Sequence, residues 1–393
     1  MAPNDAFRSI DELTLAHQRV LIRVDFDVPL DAAGQVASDR KLRAALPTIN
    51  KALKEGARVV LATHLGAEDD PPVSLVPVAE RLAELLGQEV YLPDECVGDA
   101  ARKVVSDLRE GQLCLLENLR FEEGEARNDD SFARKLLGLC DVYVGEAFGC
   151  MHLTQASLVA LPRMVKERGV GFRFKAELEA LARVTQGVQK PFVGVLGGAK
   201  LSAAQPMLEA MLSRCNAILV GGGVANALLA ARSVDMKESP IEKDQLAFGR
   251  AFLTRARNYN VEVLLPVDVL VGESARATES QSVSVGSIPD GTGAFDIGPR
   301  TLDAFRARLG NAKLALWQGA LGVCENPTFS SGTQGLLSAL SEAPAFGIVT
   351  GESVAGATPP ELESKIGFVS TGGVASLVFI EGKKLPGASA LSG

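Results

Sequence analysis

The segment GVLGGAKLS (194–202) sets two glycines and Lys200 after an apolar run. Free backbone N–H groups there and one ammonium are suited to holding phosphate oxygens. The spacing is not the GxxxxGK[ST] of a P-loop, and a lone loop lysine is more often a solvated surface residue. A second loop, VTGESVAGA (349–357), presents Gly351, Glu352 and Ser353 at the start of a helical stretch. It is suited to phosphate on backbone N–H with the Glu352 carboxylate reaching Mg²⁺, and an ordinary N-cap reads the same way. Gly221 and Gly222 end another apolar run, where close packing of helix on sheet is the competing explanation. Glu325 could accept hydrogen bonds from ribose hydroxyls, against the default of an exposed loop glutamate. Nearer the start, Asp25 in RVDFD, His64 in THLG, Arg120 in LLENLRF and His152 in EAFGCMH all follow apolar runs. Charged groups so placed suggest a binding crevice. No Ser-His-Asp spacing or HExxH motif is present, so hydrolase and metalloprotease readings have no support.

The elements that position these residues are short β-branched runs between longer amphipathic stretches. RVLIRVDF (19–26), ARVVLAT (57–63), LCLLEN (113–118) and VYVGEAF (142–148) read as parallel strands with crossover helices. The pattern restarts with PFVGVLGG (191–198), AILVGGG (217–223), VEVLLPVDV (261–269), KLALWQG (313–319) and FGIVTG (346–351). Between the halves, FKAELEALARVTQ (174–186) has helical spacing and no Gly or Pro, and reads as a helix joining them. The expected architecture is α/β: two doubly wound parallel-sheet domains joined by a hinge helix. In such sheets ligands sit outside the carboxyl ends of strands, where the chemistry-bearing residues fall.

Composition agrees. The chain has 393 residues, 47% hydrophobic and 22% charged, which favours two domains of a globular protein. A net charge of −8 gives no global attraction for nucleic acid or an anionic membrane, so an anionic ligand needs a local cationic cluster. The six cysteines include no CxxC pair and read as buried thiols in a reducing compartment. The start MAPNDAFRSIDEL lacks an apolar signal stretch, and no run approaches a membrane span. The expected location is cytoplasmic.

Taken in order, RVDFDVPL, RAALPTI, HLG, LLENLRF, EAFG, VLGGAK, GGGVAN, LLPVDV, DIGP, WQGALGV and STGG resemble phosphoglycerate kinase over nearly the whole chain. The resemblance implies an N-terminal domain (1–173) for 3-phosphoglycerate, an interdomain helix (174–186), and a C-terminal domain (187–371) for Mg-ATP or Mg-ADP. It implies that residues 372–393 return to the first domain, that closure unites the two, and that the protein is a monomer. Lys200 and Lys41 would be catalytic, and Asp25, Asp27, Lys41, His64 and Arg120 would bind substrate. Gly198, Ala199, Lys200, Gly221, Gly222, Gln318, Gly319, Val323, Glu325, Gly351, Glu352 and Ser353 would bind nucleotide, with Glu352 on the metal.

The departures from the family pattern gather where positive charge is needed to neutralise a phosphoryl group in flight. Lys41 stands in place of an arginine, keeping the charge but losing the bidentate fork. HLGRP reads HLGAE, so Ala67 replaces a phosphoglycerate-binding arginine and Glu68 adds a negative charge. NDAFGxAHRAHAS reads GEAFGCMHLTQAS, so Leu153 replaces another arginine. Asp27 replaces an asparagine, Ala204 a lysine, Gln318 an asparagine, Ala320 a proline and Val374 a glycine; the loop GGGD reads TGE. Arg40, Arg43 and Arg127 are the candidates to fill the vacated positions. The expectation is phosphoryl transfer that is weak or lost, with binding of 3-phosphoglycerate doubtful. The alternatives are a non-catalytic paralogue with a regulatory or scaffolding role that still binds nucleotide, and a phosphotransferase for a less anionic acceptor.

Overall fold

A computed structural model describes residues 7–66 and 70–392, so Ala67 and Glu68 lie outside the described residues. The chain divides into two compact units, one of residues 1–179 with 383–393, the other of residues 180–382.

The first unit holds a five-stranded sheet of β1 (Arg19–Arg23), β2 (Arg58–Ala62), β3 (Leu113–Leu115), β4 (Val142–Gly145) and β5 (Glu167–Val170), in the order β3-β2-β1-β4-β5. All its pairings are parallel, with Ile22 opposite Leu61 on one side and Val144 on the other. Because helices cover both faces, these strands are apolar at successive positions rather than alternating. Val20, Leu21, Ile22, Val59, Val60 and Leu61 are all fully buried. Burial of each such side chain contributes about 1.5–3 kcal/mol. The helix Arg40–Lys54 buries Leu42, Ala45, Ile49 and Ala52, a stripe at helical spacing. β5 carries the sequence ERGV, too short and polar to be read as a strand from pattern alone; Val142–Gly145 supplies its partner.

The helix expected at 174–186 runs from Phe172 to Thr185, and the divide between the units falls inside it. Its first turn is held by the buried Glu146 carboxylate after β4, which accepts from Arg173 N at 3.1 Å and Phe174 N at 3.2 Å. Thr48 Oγ1 donates to the same carboxylate at 2.5 Å. Two of the N–H groups that an α-helix leaves unpaired at its start are thereby satisfied. Burial pushes the Glu146 carboxyl up to about 7.

The second unit contains a six-stranded parallel sheet in the order β14-β13-β12-β6-β7-β8. Its strands are β6 (Phe192–Leu196), β7 (Ala217–Val220), β8 (Glu262–Leu264), β12 (Leu314–Gln318), β13 (Phe346–Thr350) and β14 (Gly367–Val369). A separate antiparallel sheet, ordered β10-β9-β11, is formed by β9 (Asp268–Gly272), β10 (Gln281–Ser284) and β11 (Gly293–Ile297). The single strand expected over 261–269 is therefore two: Pro266, which cannot donate to a ladder, separates β8 from β9. The buried Asp268 carboxylate then starts the next helix, Pro299–Leu309, by accepting from Arg300 N and Thr301 N.

Chain return begins at Lys383 rather than 372, since the helix Gly373–Ile380 belongs to the second unit, where Ile380 O accepts from Arg214. In the first unit, the last helix, Pro386–Leu391, lies against Met151, whose carbonyl accepts from Gly387 N at 3.0 Å. Five of the six cysteines are buried, Cys324 is half-buried, and all are free. Burial pushes Cys96, Cys114, Cys140 and Cys150 up to about 12, which makes them unreactive thiols. No helix among the described residues is long and apolar enough to cross a membrane.

Candidate functional site

In the first unit, four neighbouring strand ends bring the expected substrate residues together. Asp25 and Asp27 follow β1, His64 and Gly66 follow β2, Arg120 follows β3, and His152 follows β4. The loops are stitched by polar contacts. Phe26 N donates to Thr63 Oγ1 at 2.9 Å, and Gly66 N donates to Asp27 Oδ1 at 3.0 Å. The carbonyl of Gly66 accepts from Arg120 Nη1.

Lys41, in the first turn of the helix Arg40–Lys54, places its ammonium 3.2 Å from Asp25 Oδ1. Burial lowers the Lys41 pKa, but Asp25, followed by Cys150 and Asp27, outweighs it and holds the ammonium above its ordinary value. His64 is buried, and burial, followed by the charges of Arg23 and Arg120, holds its pKa well below 6.5. Burial likewise lowers His152, whose Nδ1 lies 3.0 Å from Gly149 O.

Two of the three arginines expected as replacements are paired with carboxylates. Arg43 pairs with Asp39 at 2.9 Å, and Arg127 pairs with Glu123 at 2.9 Å on an exposed surface. Leu153 is half-buried after the turn that follows β4. Gly145, where the family pattern has asparagine, faces the last helix: a Cβ there would sit 2.5 Å from Leu391 Cδ1. The tail thus occupies the space an asparagine side chain would need.

The second unit holds a cavity of about 270 Å³ lined by Gly198, Ala199, Gly222, Val323, Glu325 and Ser353 among the expected nucleotide residues. Its walls are largely apolar, formed by Pro240, Pro266, Val269, Phe295 and Ile297, a surface suited to a planar base. Gly222 has φ +64°, and a Cβ on it would lie 2.8 Å from Gly198 O, so only glycine lets the two strand-end loops approach.

Lys200 follows Ala199 directly, exposed, at the head of the helix Leu201–Leu212. Gln318 ends β12 beside Gly319, and its Oε1 is buried with no hydrogen-bond partner. Its Cγ lies 3.4 Å from where a Cβ on Gly351 would be, which sets the amide against the TGE loop. Gly221 caps the helix Gly222–Ala231, and Glu352 begins the short helix Glu352–Ala357. A buried amide oxygen without a partner among the described residues, an exposed lysine and a glutamate at strand ends fit a polyphosphate carrying its own metal ion. Among the described residues no group of three or more His, Cys, Asp or Glu could hold a metal unaided.

Sequence reasoning missed Asn226 and Asp296 in this cavity. Asp296 is buried and accepts from Ile297 N and Gly332 N, both at 2.8 Å, and burial pushes its pKa up to about 6. The DIGP motif was the available signal; its aspartate follows an apolar run as the other site residues do.

A family model described as phosphoglycerate kinase matches residues 10–383. The chain belongs to the phosphoglycerate kinase family. A phosphoglycerate kinase of Anaeromyxobacter sp. (strain Fw109-5) is 44% identical over 99% of this chain and 100% of its own. That of Anaeromyxobacter dehalogenans (strain 2CP-1 / ATCC BAA-258) is 45% identical over 98% and 99%. Among solved structures, phosphoglycerate kinase from Coxiella burnetii aligns with a TM-score of 0.83 and 33% identity, covering 98% of both chains. The enzyme from Pyrococcus horikoshii OT3 gives 0.85 and 30%, again over 98% of both. The two-unit α/β architecture is therefore the phosphoglycerate kinase fold.

Proposed function

We propose that this phosphoglycerate kinase-family protein keeps a Mg-nucleotide crevice in its second unit and has weak or lost transfer to 3-phosphoglycerate. The observation that carries the reading is charge cancellation in the first unit's crevice. In formal charge, Lys41, Arg120 and the buried Arg23 are matched by Asp25, Asp27 and the buried Glu125, which Ser157 links to Arg23, and His64 is neutral. An acceptor carrying both a phosphate and a carboxylate would meet no net positive charge there. The most economical role is that of a non-catalytic paralogue with a regulatory function, working as a cytoplasmic monomer without nucleic acid or membrane partners.

In this reading the base and ribose occupy the 270 Å³ cavity, with Glu325 toward the ribose. Gly198, Ala199, Gly221, Gly222, Gly319 and Val323 shape the crevice, while Lys200, Gln318, Gly351 and Ser353 hold the phosphates. Glu352 contributes the one protein carboxylate to Mg²⁺, which neutralises phosphate charge when bound. Where transfer persists, Lys200 and Lys41 are the cations that stabilise the moving phosphoryl group.

Calorimetric titration tests the nucleotide half. Mg-ADP is expected to bind the native chain, and Lys200→Ala to weaken it roughly 10- to 100-fold, the loss of one charge-assisted contact. Absence of Mg-ADP binding to the native chain would overturn this half of the reading.

A second reading is transfer to a less anionic acceptor. It draws on the same charge cancellation and on the half-buried Leu153 in place of a guanidinium.

A further inference from the structure

A line of four buried polar side chains runs behind the first unit's crevice, and the proposed function draws on its charge alone. Glu125 accepts from Ser157 N at 2.8 Å and from Ser157 Oγ at 2.5 Å. Ser157 Oγ accepts in turn from Arg23 Nε at 2.8 Å. Arg23, fully buried at the end of β1, also donates through Nη1 to Val24 O at 2.5 Å and through Nη2 to His64 Nδ1 at 2.9 Å. The guanidinium is thus gripped on three sides, with a buried carboxylate two contacts away.

A guanidinium has donors only, so the proton in the Arg23–His64 contact belongs to the arginine. Nδ1 of His64 is then the bare nitrogen, and the single proton of the neutral ring sits on Nε2. Among the described residues no side chain or backbone group bonds that opposite nitrogen.

We infer that Arg23 is a positioning residue which, anchored by Ser157 and Glu125, fixes His64 as a neutral Nε2–H donor at the end of β2. Such a ring holds one acceptor atom of a bound molecule, a hydroxyl, carbonyl or carboxylate oxygen, and adds no charge to it. Small hydroxylated or carboxylated molecules are the class it fits. Four basic groups face the ring: Arg23 from β1, Lys41 from the helix Arg40–Lys54, Arg120 after β3 and His152 after β4. The carboxylates of Asp25 and Asp27 lie on the loop after β1; burial and the basic groups keep the ring uncharged.

The inference concerns the acceptor crevice of the proposed function, yet its test needs neither nucleotide nor turnover, so the two fail separately. Long-range ¹H–¹⁵N correlation spectra of the labelled full chain, recorded from acid to neutral pH, report the tautomer and charge of each of the three histidines; His64→Gln assigns the signal. The expected His64 signal is a bare Nδ1 and a protonated Nε2, with a midpoint below the ordinary value of about 6.5. Arg23→Gln is expected to give a mixture of tautomers and a midpoint moved up toward that value. Should Arg23→Gln fail to fold, Ser157→Ala decides: with circular dichroism unchanged, it should move tautomer ratio and midpoint in the same direction. A proton on Nδ1 in the native chain, or a ring charged at neutral pH, would overturn the assignment of His64. Variants that fold yet leave ratio and midpoint unchanged would overturn the role of Arg23.

Discussion

Arginine placed at both Ala67 and Leu153 is expected to raise affinity for 3-phosphoglycerate on the order of 10²- to 10⁴-fold. Each charge-assisted hydrogen bond contributes roughly 1.5–3 kcal/mol, and two such bonds give that range. The substitutions also add net positive charge to the crevice. With Lys41, Arg120 and Arg23 set against Asp25, Asp27 and Glu125, the native formal charge is balanced; two guanidinium groups make it positive. The gain should shrink as salt is raised, because partly exposed charges are screened within about 8–10 Å at ordinary ionic strength. Leu153→Arg alone should give a fraction of the effect, since its position after the β4 turn is only half-buried and leaves the new side chain free to reach solvent. Calorimetric titration of the native, single and double variants measures this. A double variant that binds no more tightly than the native chain would refute the account of the anion crevice.

Gly223→Ala is expected to damage the other crevice and the stability of its unit together. A Cβ at Gly223 would stand 2.1 Å from Ala199 O and 2.8 Å from Ala199 C, both backbone atoms. No flexible side-chain end is available to yield, so the Gly198–Ala199 loop or the helix Gly222–Ala231 must shift. Overpacking of this kind costs about 1–3 kcal/mol. In a unit of this size that lowers Tm by roughly 2–4 °C for each kcal/mol. Because Gly198 and Ala199 line the 270 Å³ cavity, the same shift should weaken Mg-ADP at least 10-fold. Thermal unfolding and calorimetry of this one variant report both. A variant with native Tm and native Mg-ADP affinity would show that the close approach of the two loops is not what shapes the cavity.

The fold was legible because strands buried on both faces leave long apolar runs, and β1, β2, β4, β6, β7, β12 and β13 all fall inside runs marked from sequence. The polar strand β5 and the three-residue β14 gave no such signal, since pairing with a neighbour rather than their own pattern makes them strands. Pro266 was visible in the sequence, but only the antiparallel partners β10 and β11 reveal that the chain leaves one sheet for another there.

At the site, residue types were legible and their partners were not. Arg40, Arg43 and Arg127 are the sequence's candidates to replace the missing guanidinium groups, and for two of them a carboxylate close in sequence supplies a partner. Arg43 meets Asp39, which caps the helix Arg40–Lys54, and Arg127 meets Glu123, each partner four residues earlier in the chain. The close approach of Leu391, distant in sequence, to Gly145 has no signal in the sequence pattern. Arg23 lies inside the motif RVDFD with no mark of its role, because a buried guanidinium is recognisable only from the Ser157, Val24 and His64 atoms around it.

The central claim is that the nucleotide crevice persists while transfer to 3-phosphoglycerate is weak or lost. A coupled assay of the native chain at high protein concentration, with saturating Mg-ATP and 3-phosphoglycerate, tests it most directly. The account predicts turnover far below the roughly 1–100 s⁻¹ usual for kinases, from a protein that binds Mg-ADP in parallel calorimetry. Turnover within that range would contradict it and would mean that Lys41, Arg120 and their neighbours suffice for the transfer despite their carboxylate partners.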